Sequence, residues 1–566
     1  MKNEFRPTRR TALLGAAGLG AALAACSEQR FEPLPRPAGP FQYGVASGDP
    51  GPDSVVLWTA VTRADGPVTV EVSETPDFAA LVFTEEVRRA GPPVDEATPF
   101  KIVATGLEPG RPVWYRFRFR EHLSSAGRTK PLPAGPVDRF TIAAFSCSNY
   151  PAGFFNAYAH AAQRGDLDLA VHLGDYIYEY GQDGFGTEDA ERLSRRPDPA
   201  HETVSYADYA RRHAQYSSDP DLQALKAAAP LLMIWDDHET TNDSWKGGAE
   251  NHDAGEGVWT ERRDAAIAAW AAWTPSRERP VAHERWGALE IGDLATLIFL
   301  ETRLTARDEQ VSLAEFPVDP ATADPEDPQA RAAVADWLQR TAGDPDRRLL
   351  GERQLAFVEA ALGASVEAGK PWRVFANQVI MGRVPAPNYP KVMPFWLRWA
   401  IRSSDPLAWS FIERFAFGMP LNLDAWDGYA AERERLYAAA RAANADFITI
   451  TGDTHNAWVL DLHDEGGARV GTEFGVTSVT SPSRFERLDL PTVDFGRYTE
   501  EAAPEVLRHN AYDRGYMMLT LTPDEATAEH VVMSTVKSRD YAASPDSVWR
   551  LRPARGGEVP QVERIA

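Results

Sequence analysis

Apolar and polar positions follow two different rhythms along this chain. In VWYRFRFR, Val113 to Arg120, apolar and basic side chains take turns with a period of two, the mark of a half-buried strand. The upstream runs SVVLWTAVT and VTVEVSETPDF extend the same all-β character. From about residue 138 the rhythm changes to short, continuous apolar runs: RFTIAAFSC, LDLAVHLGD, APLLMIWDDHE, LATLIFLETR, WRVFANQV and ADFITITGDTH. Helical stretches such as ERRDAAIAAWAAW and ERERLYAAARAAN lie between them. This alternation predicts an α/β layered domain with its site at strand carboxyl ends, closed by a final hairpin from GYMMLTLTP and EHVVMSTVK. There is no internal repeat.

The TGLEPG turn that places Tyr115 on the following strand resembles a fibronectin-III corner, so residues 40–134 are expected to form a small fibronectin-III-like β-sandwich. KPLPAGPVD then reads as the joint to a larger domain over 135–566. Within that domain, residues 382–427 carry an aromatic-rich helical pair interrupted by proline. It can be an insertion packed on the core, a lid over the site, or a membrane-leaning patch.

The N-terminus reads as an address. Lys2, Arg6, Arg9 and Arg10 precede an apolar run, Thr11 to Ala25, too short for a stable transmembrane anchor. The adjacent arginines look like a twin-arginine export signal over 1–25, whose usual passenger folds before transport. LAAC, ending at Cys26, resembles a lipobox, so residues 26–39 are expected to be a lipidated linker that tethers a periplasmic or cell-surface protein. The chain has 82 acidic against 59 basic residues, a formal charge of −23, which disfavours nucleic acid as a bulk partner. A monomer is expected.

The chain has two cysteines, and a lipidated Cys26 leaves Cys147 without a disulfide partner in its own chain. Cys147 is then either an inert buried thiol or a metal-bound thiolate. Four clusters past apolar runs favour metal: Cys147 in FSCSN; Asp175 and Tyr178 in HLGDYIYEYG; Asp236, Asp237, His238, Asn242 and Asp243 in IWDDHETTND; and Asp453 with His455 in TGDTHNAW. Carboxylates such as Asp175, Asp237 and Asp453 suit hard cations, and one carboxylate can bridge two ions. Phenolate and thiolate donors, as from Tyr178 and Cys147, suit trivalent iron.

With FQYGVASGDP, VVLWT and NLDAWDGY, these motifs together resemble the alkaline phosphatase D family, related in its site to purple acid phosphatases. The resemblance implies a metallophosphoesterase domain, a β-sandwich core flanked by helices. It implies one Fe3+ held by Cys147, Asp175, Tyr178 and His455, with Asp175 bridging, and one or two Ca2+ held by Asp175, Asp453 and Asp237. His238 is expected near the leaving oxygen and Asn242 on a phosphate oxygen. The implied reaction is attack on the phosphorus of monoesters or diesters. A phospholipase-D-like phosphodiesterase of the same family and a non-catalytic surface-binding lipoprotein are the alternatives. His172 has the wrong strand parity for the Asp175 face; His201, His213 and His252 read as solvated, and AAIAAWAAW as core. Tyr176 and Tyr180 fit a pocket wall.

Overall fold

The structure, a computed structural model, describes residues 39–486, 494–554 and 560–566. The export segment, Cys26 and most of the linker lie outside them.

Continuous apolar runs form strands buried on both faces. Phe140–Phe145, Leu169–His172 and Leu231–Met233 pair in parallel, and every residue in them is buried. The expected hairpin, Arg514–Leu521 with Ala526–Met533, lies antiparallel against Phe140–Phe145. A second sheet sets Ala295–Phe299, Trp372–Ala376, Phe447–Thr451 and Arg469–Gly475 in parallel. Ile142, Ala144, Val171 and Leu232 of the first sheet pack with Leu297, Val374, Ile448 and Ile450 of the second. The alternate residues Ala143 and Phe145 face a helical layer that includes Tyr158, Tyr209 and Trp270, while Ile298 and Phe375 face Leu355, Val358 and Leu436. Period-two alternation is therefore present, with both faces apolar because helices cover both outer sides. The Trp-rich helix Trp259–Trp273 is core, as expected.

The N-terminal strands Val45–Gly48, Ser54–Thr62, Val68–Ser73, Leu81–Arg89, Ala97–Thr105 and Val113–Phe119 enclose their own apolar core. In Val113–Phe119, Val113, Tyr115, Phe117 and Phe119 point inward, while Arg116 and Arg118 both bind Glu71. This module is not detached from the rest. Gly48 pairs in parallel with Leu231, joining both parts into one hydrogen-bonded sheet of 15 strands among the described residues. Asp49, just beyond, accepts from both terminal guanidinium nitrogens of buried Arg285 at 2.6 and 2.7 Å and from the Arg277 backbone N–H at 2.7 Å. Tyr115 differs from a self-contained corner, because its hydroxyl reaches the Lys226 carbonyl of the other part at 3.4 Å.

Two local expectations need correction. His213 is buried, not solvated: with Tyr209 and Tyr216 it forms the inward stripe of helix Tyr206–Ser217 and stacks on Tyr176 at 5.9 Å. His252 is mostly covered beside Glu256 and Trp259, whereas His201 is exposed. Residues 382–427 form helices Tyr389–Val392, Phe395–Ser404 and Pro406–Arg414, whose buried sides join Trp337 and Phe495 in a satellite core.

Asp49→Ala leaves Arg285 buried without its partner and is expected to cost about 3–5 kcal/mol of stability in urea unfolding. Asp49→Leu with Arg285→Met costs less than the single change, because no charge is then stranded.

Candidate metal centre

The carboxyl ends of the parallel strands deliver the polar side chains to one place. Phe140–Phe145 leads to Cys147, Leu169–His172 to Asp175, Leu231–Met233 to Asp236 and Asp237, and Phe447–Thr451 to Asp453 and His455. Ala295–Phe299 leads to Arg303. Cys147, Asp175, Asp453 and His455 all have left-handed backbones, with φ of 59°, 54°, 67° and 62°. Such sharp turns at a strand end aim consecutive residues apart, at a cost of about 1–3 kcal/mol each. Gly174 and Gly452 allow the loops to nest: a Cβ on the first would overlap Asp236, and one on the second would overlap Ser146.

Two groups of donors share one residue. Sγ of Cys147, a carboxylate oxygen of Asp175 and a ring nitrogen of His455 all lie within 4.8 Å of one another, and so do donor atoms of Asp175, Asp237 and His238. The Tyr178 hydroxyl stands 3.0 Å from Asp175 Oδ2 and 3.3 Å from His455 Nε2, and receives the Ser481 hydroxyl at 2.6 Å. His455 Nδ1 is 2.9 Å from the Pro482 carbonyl, to which it can only donate, so Nε2 is left as a lone-pair donor toward Tyr178 and Asp175. Burial lowers the His455 pKa to about 3, keeping the imidazole neutral.

Asp453 lies at the edge of this arrangement, with Oδ1 3.8 Å from Arg303 Nη2 and Oδ2 3.5 Å from the Asn422 amide. Asp236 and Asp237 diverge. Asp236 Oδ1 accepts from Arg303 Nε at 2.5 Å, whereas Asp237 joins Asp175 and His238. Asn242 is engaged elsewhere: its side-chain amide donates to Glu250 at 3.0 Å and its backbone N–H to Glu179 at 2.8 Å. His172 is a core residue bonded to Tyr158, and the Tyr180 ring lies 5.3 Å from that of His238.

Sequence reasoning passed over four residues that hold this site together. Fully buried Arg303 also binds Asp424 at 2.8 Å. Glu239 accepts the backbone N–H groups of Asp175, Tyr176 and Asp236, tying two donor loops together. Glu179, fully buried, holds His238 Nδ1 at 2.7 Å. Glu179, Glu239 and Asp424 sit inside the quoted motifs, and Arg303 closes LETR, so the signal was position in a motif without an obvious ligand role.

Asp236, Asp237, Asp424 and Asp453 crowd around one buried guanidinium, with Arg307 adding a second contact to Asp424. Burial, opposed by His238 but reinforced by Asp237 and Asp236, pushes the Asp175 pKa well up; burial and then Asp236 and Asp424 do the same to Asp453. Asp236 rises to about 6 by burial despite Arg303. Burial and Asp175 raise the Cys147 thiol. Asp175 Oδ1 and Asp236 Oδ2 are buried without a hydrogen-bond partner. Oxygen, nitrogen and sulfur donors around a surplus of buried negative charge fit metal cations, which restore the ionised forms.

Known proteins share this chain's sequence and fold. Residues 142–530 match the family model described as PhoD-like phosphatase, and residues 26–133 match its N-terminal domain. Alkaline phosphatase D of Bacillus subtilis (strain 168) is 31% identical over 528 residues, covering 89% of this chain and 79% of that protein. A solved structure of PhoD superposes with a TM-score of 0.73 at 28% identity, covering 94% of each chain. Purple acid phosphatase PPD1 from yellow lupin (Lupinus luteus) seeds shares the fold, with a TM-score of 0.53 at 13% identity over 88% of this chain and 73% of that one.

Because Asp175 belongs to both donor groups, Asp175→Ala is expected to abolish binding of both metals. Cys147→Ser is expected to release only the metal on its own side. Elemental analysis of the purified variants distinguishes the two outcomes.

Proposed function

The chain belongs to the PhoD-like phosphatase family and is a phosphoric ester hydrolase, and from that premise we propose that it is an exported, metal-dependent phosphoesterase acting on monoesters and diesters. The observation that carries the metal reading is the sharing of Asp175, whose buried Oδ1 lacks a hydrogen-bond partner, between two donor groups. Cys147, Asp175, Tyr178 and His455 would hold Fe3+. Asp175, Asp237 and Asp453 would hold Ca2+. Bound there, the ions supply Lewis acidity and a nucleophile at neutral pH. The assignment as hydrolase sets aside the non-catalytic lipoprotein alternative.

The protein's own groups complete the reaction. His238 has Nδ1 bound to Glu179, so Nε2 is the nitrogen left to serve substrate. Burial opposes a charge on His238, but Glu179, Asp237 and Asp175 outweigh it and hold the pKa well above the imidazole range. His238 is then protonated at neutral pH and able to donate a proton to the departing alkoxide. Glu179 stays ionised despite burial because of His238 and the N–H of Asn242. Asn242 gives one of its two amide hydrogens to Glu250, which leaves the other to donate to a phosphate oxygen.

Arg9 and Arg10 support twin-arginine export, since a mixed-metal site is easiest to fill before transport, and LAAC supports a lipid on Cys26 that anchors the chain in the periplasm or at the cell surface. The antiparallel strands and inward Tyr115 support a fibronectin-III-like reading of the N-terminal module.

Hydrolysis of a mono-aryl and a bis-aryl phosphate, each before and after chelation and metal restoration, tests this reading. Both activities are expected to depend on metal; full activity in exhaustively chelated enzyme contradicts it. Glu179→Gln removes the carboxylate that sustains the His238 charge after metals neutralise Asp175 and Asp237. The alkaline limb of its kcat/KM profile is therefore expected to move to lower pH, with Glu179→Asp intermediate.

A further inference from the structure

Helix Phe395–Ser404 carries apolar residues on two opposite faces. Leu397 and Ile401, one turn apart, are buried in the satellite core with Trp337 and Phe415. Phe395, Trp396 and Trp399 occupy the other face and are 75%, 51% and 66% exposed. With Phe411 of the next helix, at 38%, they are the exposed Phe and Trp residues of the described chain; the other exposed large apolar side chains are aliphatic. Aromatic rings are costly to leave in water, and their confinement to one short helical hairpin is not what scattered surface apolarity produces.

The charges around them differ from those of the rest of the protein. Between residues 388 and 418, Lys391, Arg398, Arg402 and Arg414 stand against Asp405 and Glu413 in a chain whose overall charge is −23. Lys391 and Arg402 are exposed, and Arg402 follows Phe395 and Trp399 along the same helical face. The Arg398 guanidinium lies 5.9 Å from the Phe395 ring.

We propose that this aromatic and basic face is an interfacial membrane-docking surface that seats on anionic lipid. Trp and Phe rimmed by Lys and Arg suit the boundary between headgroups and acyl chains. The overall negative charge repels an anionic bilayer, so the local cationic excess also orients the protein with this face toward it. No helix among the described residues is long and apolar enough to span a membrane, which makes the contact peripheral. A second copy of the chain is the poorer occupant. Three partly exposed rings offer on the order of 400 Å², short of the ~800 Å² per partner that a stable interface buries.

The proposal goes beyond the phosphoesterase reading and has a separate readout. The chain from Ser27 onward keeps every described residue and lacks Cys26, so no lipid on that residue contributes. Its partition onto phosphatidylcholine vesicles is compared with and without phosphatidylglycerol. The expected result is binding to the phosphatidylglycerol vesicles that falls about tenfold or more in Phe395→Ser/Trp396→Ser/Trp399→Ser, with mono-aryl phosphate hydrolysis unchanged as the check on folding. Arg402→Glu is expected to weaken binding only where phosphatidylglycerol is present. Absent vesicle binding, or equal binding by the triple variant, overturns the proposal. So does a dimer in sedimentation equilibrium that the triple variant loses, which assigns the face to a second copy.

Discussion

A carboxylate taken out of water must find a compensating charge, and at the edge of these two sheets four of them gather within 4 Å of a single buried guanidinium, with Asp175 beside them. Arg303 satisfies Asp236 and Asp424 well, and lies almost 4 Å from Asp237 and Asp453. It does not face Asp175, whose nearest cationic help is His238, itself committed to Glu179. Like charges at this density drive protonation unless cations are bound. A cation that keeps Asp175 ionised would therefore add to the stability of the strand-end loops, coupling its binding to local folding.

The scaffold is organised to tolerate that pressure. Both sheets are covered on their outer sides by helices, so the strand ends open onto one rim and the donors come from loops with little freedom. Glu239 braces the Asp175 and Asp236 loops through three backbone N–H groups. The left-handed residues and the close approaches at Gly174 and Gly452 fix the direction of each donor. The N-terminal module shares the central sheet through Gly48 and anchors Arg285 with Asp49, which makes it part of the rim's support.

Much of the architecture was legible because burial on both faces leaves a plain mark: Phe140–Phe145, Leu231–Met233 and Phe447–Thr451 are short apolar runs that stop on polar residues. Arg469–Gly475 and Val506–Asn510 were not legible. Their polar residues look like loop, yet Arg469 is neutralised by Asp446 and Asp461, and buried Glu473 accepts from Met381, Gly382 and Thr451. His213 misled for a related reason, since a helix of polar composition still buries one stripe. In the site, residue types that donate to metals were visible in their motifs. The partners Arg303 and Asp424 were not, because their pairing spans 121 residues and arises only when the loop before Trp426–Tyr429 folds onto the end of Ala295–Phe299. That Asp236 and Asp237 point differently followed from an extended backbone; which of them met Arg303 depended on the other sheet.

The most direct test of the account is a crystal structure of protein purified after native export, with anomalous scattering recorded to locate and identify metals. The account predicts two metal peaks about 3.5–4 Å apart on either side of the Asp175 carboxylate, one against Cys147, Tyr178 and His455 and the other against Asp237. A site with no metal peak, its Asp175 oxygens bonded only to protein groups or water, would contradict it.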